Sequence, residues 1–283
     1  MGLPVPGIFL YKEAETNEHL VIDGQQRLRT LQAFYDGLFD DKKFRLAGVR
    51  EPWLGKSYDQ LDAADVLKLD DSIVHATIFK QDQPDDVLDS IYFVFERINS
   101  GGIRLSPQEI RNCVNLGPFI KMVRQLNKDD AWRHVFGPVN NRAKDEELIV
   151  RFLALYEDGR AYYSPMNKFL NDFAAKCNKY DQKSLQKLGE IFKLTIAMVD
   201  LTIGNRAFRL VRALNAAVFD AVMVGLAKRM LDGPEAIDSD KIVVAYNDLL
   251  ANAEFRQACE RSTANEENVR RRQELATAAF AGI

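Results

Sequence analysis

His19-Leu20-Val21-Ile22-Asp23-Gly24-Gln25-Gln26-Arg27-Leu28-Arg29-Thr30-Leu31 is the stretch that decides how the first part of this chain folds. Leu20 to Ile22 is a short apolar run and reads as a buried strand. Asp23-Gly24 turns the chain. From Leu28 onward the apolar residues Leu28, Leu31, Phe34, Tyr35 and Leu38 recur at helical spacing. The reading is strand, tight turn, helix. Such a turn sets the first N–H groups of the helix, with Arg27 one turn in, at the end of a strand. Free donors, the positive end of the helix dipole and a guanidinium together make an anion site.

A simpler role competes with this one. Asp23 and Gln26 have capping-box spacing, with Asp23 as N-cap. Capping explains those two residues. It does not explain Gly24, which weakens a helix at its first position, or two glutamines followed by arginine. Read as an anion site, the turn makes Gly24, Gln25, Gln26 and Arg27 the candidate phosphate-binding residues, and under a phosphate-hydrolysing reading Asp23, Gln25 and Gln26 the candidate catalytic ones. Asp23 is also the candidate metal ligand.

The run Val21-Ile22-Asp23-Gly24-Gln25-Gln26-Arg27-Leu28-Arg29-Thr30-Leu31 resembles the signature of the N-terminal domain of GmrSD-type restriction endonucleases. That family is similar in turn to the ParB and sulfiredoxin group, where a Gly-x-x-Arg turn at the same junction holds nucleotide phosphates. A second block matches the pattern: Phe95-Glu96-Arg97-Ile98-Asn99-Ser100-Gly101-Gly102, then Leu105-Ser106-Pro107-Gln108-Glu109-Ile110-Arg111-Asn112. The resemblance covers residues 3–160 well. It implies that Asn99, Gly101, Gly102 and Arg111 help close a nucleotide pocket. It also implies a nucleoside triphosphate with Mg2+ as ligand, and DNA and a separate nuclease subunit as partners. In the family a strand and helix carrying a Gln-Arg pair come before Gly2-Leu3-Pro4, and this sequence is expected to lack them.

A length of 283 residues allows one large domain or two smaller ones. The net charge of −3 conceals a split. Residues 1–115 carry 13 basic and 19 acidic side chains, residues 116–283 carry 25 and 22. Neither half is basic enough to coat DNA, so any nucleic-acid contact is expected to be a local patch. Cys113, Cys177 and Cys259 are far apart and expected to be free thiols. With no signal peptide and no long apolar run, a soluble cytoplasmic protein without membrane contact is expected.

Along the chain, Ile8–Tyr11 reads as a strand that forms a hairpin with the next, and Phe44–Val49 as a short strand. Short helices follow at Tyr58–Leu61 and Ala63–Leu69, and a strand within Ser72–Phe79. His75 there is read as a core or edge residue. Pro84 opens a helix that runs to Ile98 and ends at Gly101-Gly102. Ser106, Pro107 and Glu109 form a capping box. Later helices are expected at 118–126, 130–136, 145–156, 164–180, 182–201, 209–231, 239–251 and 264–281, with Ser164 as a cap. The fold class is α+β: a ParB/sulfiredoxin-like domain over 1–116, then an all-helical domain over 117–283.

His19, His75 and His134 are isolated, which argues against a His-Asn-His nuclease site or a zinc site. There is no Gly-x-x-x-x-Gly-Lys-Ser/Thr loop and no Gly-x-Ser-x-Gly turn. Arg206, Arg209 and Arg212 share one helical face if their helix begins early, and form a weak DNA-binding candidate. Arg270-Arg271-Arg272 reads as a solvated run. The leading expectation is a nucleotide-binding, NTP-hydrolysing sensor module of a bacterial restriction or anti-phage system acting on foreign or modified DNA. A non-enzymatic DNA-binding adaptor and an inactive truncated remnant are the alternatives.

Overall fold

The computed structural model describes residues 6–12, 17, 19–39, 42–80, 92, 105–232 and 238–283. The helix expected over 84–98 and the turn at Asn99, Gly101 and Gly102 lie outside them. The chain divides into two compact units, residues 1–104 and 105–283.

The first unit is built on a small mixed sheet. Strand β1 (Ile8–Lys12) pairs antiparallel with β2 (His19–Asp23) and parallel with β5 (Ala76–Phe79), giving the order β2-β1-β5. Leu10 faces Val21 in one register and Ile78 in the other. His75 is exposed at the sheet edge, and its carbonyl accepts the Ile8 N–H at 2.8 Å. Helix α1 (Gln25–Asp36) follows β2 and ends at Gly37, whose left-handed φ of 73° lets its N–H turn back to the Phe34 carbonyl. Ile8, Ile22 and Phe34 are the buried hydrophobic side chains among the described residues of this unit. Phe34 anchors a ring cluster with Phe44 and Tyr58.

Phe44–Val49 is not a strand. The ladder here is a two-residue ribbon, β3 (Leu38–Phe39) with β4 (Lys42–Lys43). Phe44 turns inward to the ring cluster. The Leu46 N–H is taken by the Lys56 carbonyl and the Leu46 carbonyl by the Gly55 N–H, closing an irregular loop around Gly48 with φ 71°. A short 3-10 turn at Tyr58–Gln60 and helix α2 (Ala63–Asp70) follow as expected.

The second unit is helical. Helix α3 (Pro107–Val114) starts with the expected capping box: the Glu109 N–H donates to Ser106 Oγ, and the Ser106 N–H to Glu109 Oε2 at 2.6 Å. Then come α4 (Pro118–Leu126), α5 (Asp130–Phe136), α6 (Lys144–Asp158), α7 (Met166–Asn178) and α8 (Gln182–Thr202). The last four are α9 (Ala216–Asp232), α10 (Ser239–Ala251), α11 (Ala253–Glu260) and α12 (Glu266–Phe280). Every residue from Ala217 to Ala227 is buried. A helix wrapped in apolar contacts on all sides is a central one, and α6 and α12 pack against it.

The centre of α9 also holds a charge. Asp220 is fully buried and takes Arg151 Nε at 3.0 Å and Nη2 at 2.5 Å. Arg272 Nη2 reaches the same carboxylate at 3.2 Å. So Arg270-Arg271-Arg272 is not one solvated run: Arg272 is fully buried, and Arg271 is paired with Glu254 at the surface.

Three helix boundaries depart from expectation. Ser164 does not cap α7: the N-cap position falls on Pro165, with no side-chain cap, and the helix starts at Met166. Residues 209–215 are not helical. Phe208 adopts φ 64°, and Asn215 Oδ1 accepts from the N–H groups of Ala217 and Val218, so the cap starts α9 at Ala216. Helix α11 was not expected, and Asn252 caps it through the Phe255 N–H.

Candidate functional site

The strand–turn–helix of residues 19–36 places the candidate site at the mouth of α1. Asp23 closes β2, Gly24 makes the turn, and α1 begins at Gln25. Gly24 is the N-cap, not Asp23: its φ is 94°, in the left-handed region, and no side chain caps the helix from it. The expected capping box of Asp23 and Gln26 is therefore absent. The reason is spatial. Gly24 is buried against β1, and a Cβ on it would stand 2.5 Å from Ile8 Cγ2. The chain turns one residue later than a side-chain cap at Asp23 would require.

The first helical hydrogen bond runs from the Leu28 N–H to the Gly24 carbonyl at 2.9 Å. The N–H groups of Gln25, Gln26 and Arg27 precede that ladder. No acidic residue lies in the first turn of α1, so no carboxylate within it offsets the positive end of the dipole. The side chains of Gln25 and Gln26 are exposed. The mouth of the helix thus offers backbone donors and two amide side chains to solvent.

Arg27 does something the sequence did not suggest. Its Nη2 donates to Asp23 Oδ2 at 2.5 Å, and its Nη1 donates to the carbonyls of Pro6 at 2.5 Å and Gly7 at 2.6 Å. The guanidinium ties the end of β2 to the lead-in of β1, with its charge compensated by Asp23. Both side chains keep about a third of their surface exposed, 31% and 34%. The clamp uses Asp23 Oδ2, and Oδ1 takes no part in it. One carboxylate, completed by phosphate oxygens and waters, is a usual way to hold Mg2+, and in that respect the residue present fits. Among the described residues no group of three or more His, Cys, Asp or Glu side chains is placed to hold a metal ion.

Arg111 belongs to the helical unit and is fully buried. Its Nη1 donates to Gln108 and its Nε to Asn171 Oδ1 at 3.0 Å. Its guanidinium thus shares polar contacts with side chains of that unit. Asn99, Gly101 and Gly102 lie outside the described residues. Arg206, Arg209 and Arg212 do not form a helical face. Arg206 closes a 3-10 turn, while Arg209 donates to the carbonyls of Ala207 and Val135. Arg206 and Arg212 are exposed. Sequence reasoning missed Ile8, Pro6 and Gly7 as parts of this site, because only the sheet register brings them to the turn. Among the described residues no helix is long and apolar enough to cross a membrane. No curated protein and no solved structure matches the chain. Residues 1–116 match the family described as GmrSD restriction endonuclease, N-terminal domain.

Proposed function

We infer, from residues 1–116 being a GmrSD restriction endonuclease N-terminal domain, that this module of a restriction or defence system is its nucleotide sensor. In this reading the turn Gly24–Arg27 takes the phosphates of a nucleoside triphosphate. The observation that carries it is the mouth of α1: N–H groups ahead of the helical ladder, with no acid in the first turn. The backbone of Gln25 to Arg27 binds the anion, and the Arg27–Asp23 clamp holds the turn rigid. Gln25 or Gln26 orients a water or a phosphate oxygen for hydrolysis, a reaction in which positioning and charge compensation do most of the catalysis. Mg2+, when bound, would be held by Asp23 and would neutralise phosphate charge. The downstream action on foreign or modified DNA then falls to a nuclease part.

Calorimetry tests this with an exposed residue, so that folding is not at stake. Gln26→Glu sets a negative charge beside the bound phosphates. It is expected to weaken nucleoside triphosphate binding by about 1 kcal/mol, as for a like-charge contact at about 4 Å in water. Equal affinity in wild type and variant would remove the site. A second reading, in which the turn holds a DNA phosphate, rests on the same N–H groups at the mouth of α1. A steep loss of DNA affinity with salt is the signature of that reading.

A further inference from the structure

The helical unit has an open cleft of about 650 Å3 between α4 and α8. Its apolar lining is Pro118, Met122 and Leu126 from α4 and Leu185 and Gly189 from α8. Leu126, Leu185 and Gly189 are buried. Gly189 sits inside a 21-residue helix, where glycine costs up to about 1 kcal/mol against alanine. Its position explains it: a Cβ there would stand 3.4 Å from Met122 Sδ and 3.8 Å from Leu126 Cδ2. The missing side chain deepens the cleft floor.

The rims have another character. Lys121 and Gln125 line one side, Gln186, Glu190 and Lys193 the other, and all five are exposed. Glu190 is engaged by Gln186 Nε2 at 2.8 Å. Lys183 and Lys187 are exposed on the same half of α8, and Asp181 there is occupied as its N-cap. Beyond the cleft, Leu194 and Leu201 stand out of α8 one heptad apart, 59% and 78% exposed. An apolar floor flanked by Lys121 and Lys193, with Glu190 taken up by Gln186 and with Lys183 and Lys187 nearby on α8, and continued by exposed leucines, is charge-complementary to one kind of partner.

We propose that the α4–α8 cleft docks an amphipathic helix of a partner protein that carries a leucine-type stripe flanked by carboxylates. The stripe fills the floor at helix-in-groove spacing, and the flanking acids meet Lys121, Lys193 and the lysines of α8. Electrostatic complementarity of this kind sets partner choice and encounter rate. A nucleic-acid backbone would pair with the lysines but leave the apolar floor unfilled. The proposal concerns the helical unit alone and does not depend on the nucleotide reading.

The test uses the full chain and a fluorescein-labelled synthetic helix of about five turns, with leucines in one stripe and glutamates on both flanks. Fluorescence anisotropy is expected to show saturable binding. The double variant Lys121→Glu/Lys193→Glu should weaken it roughly tenfold and gain affinity for the same peptide with lysines in place of glutamates. Gly189→Ala, which fills the floor without changing charge, should weaken the glutamate peptide while the melting curve stays cooperative. Failure of the glutamate peptide to bind the wild-type chain overturns the proposal. So does binding indifferent to both variants. Duplex DNA binding that the lysine substitutions abolish, with no peptide binding, assigns the surface to nucleic acid instead.

Discussion

At the scale of single residues, Gly24 answers two constraints together. Its φ of 94° strains any side chain, and the 2.5 Å approach to Ile8 Cγ2 leaves no room for one. Gly24→Ala is expected to destabilise the first unit by about 2–4 kcal/mol, the sum of left-handed strain and overpacking. Denaturant titration followed by a fluorophore in that unit measures it. A loss below about 1 kcal/mol, the strain contribution by itself, would mean that the sheet relaxes away from the turn. Arg27 shows a second residue-scale point. A cation next to a helix mouth looks like a phosphate ligand in one dimension. Its partners at Pro6 and Gly7 are 21 and 20 positions upstream, and only the folded sheet reveals it as a clamp.

Among the elements, α9 carries the sharpest energetic prediction. Asp220 lies fully buried in its centre and holds Arg151 and Arg272. Asp220→Ala would leave two buried cations without their anion, at a cost of about 3–5 kcal/mol. Arg272→Met should be milder, because Asp220 keeps Arg151. Chemical denaturation of the two variants checks the order, and equal losses would refute the account. How much of the fold the sequence shows depends on the range of the deciding contact. Residues 20–36 were legible because periodicity switches from strand to helix at one glycine. The capping box at Ser106 and Glu109 was legible because both partners lie within one turn. Residues 209–215 were not: Leu210, Val211 and Leu214 mimic helical spacing, yet Val211 is 87% exposed. The Asn215 cap and the left-handed Phe208 overrule that spacing. Phe44 departs from a strand for a related reason, since its ring packs edge-on against Phe34 and Phe39. At the candidate site the position of the turn was legible. Its contacts were not, because Ile8 comes from β1 and the Pro6 and Gly7 carbonyls that Arg27 holds precede that strand.

For the molecule as a whole, the three free cysteines report on folding. Burial pushes the thiols of Cys177 and Cys259 from 9.0 up to about 12, and that of Cys113 upward as well. The folded chain therefore holds those protons where the unfolded chain releases them. Their contribution to stability is complete below pH 9 and declines as pH rises toward 12, since the folded state binds more protons across that window. Thiolate absorbance should rise near pH 9 in the unfolded protein and only toward pH 12 in the folded one. Ellman's reagent at mildly alkaline pH should leave Cys177 and Cys259 unmodified until denaturant is added. Rapid labelling of either in the native protein would contradict their burial.

The parallel pairing of β1 with β5 also fixes an order in time. Ile8 lies beside Ala76, 68 positions later. During synthesis the β1–β2 hairpin and α1 can form while β5 is still unmade, and one edge of β1 then waits with its backbone groups open. Long-range strand closure is slow, and an open edge invites pairing with other chains. Misassembly of this protein during expression should therefore begin in the sheet, and slower elongation past β5 should favour the correct edge-to-edge match.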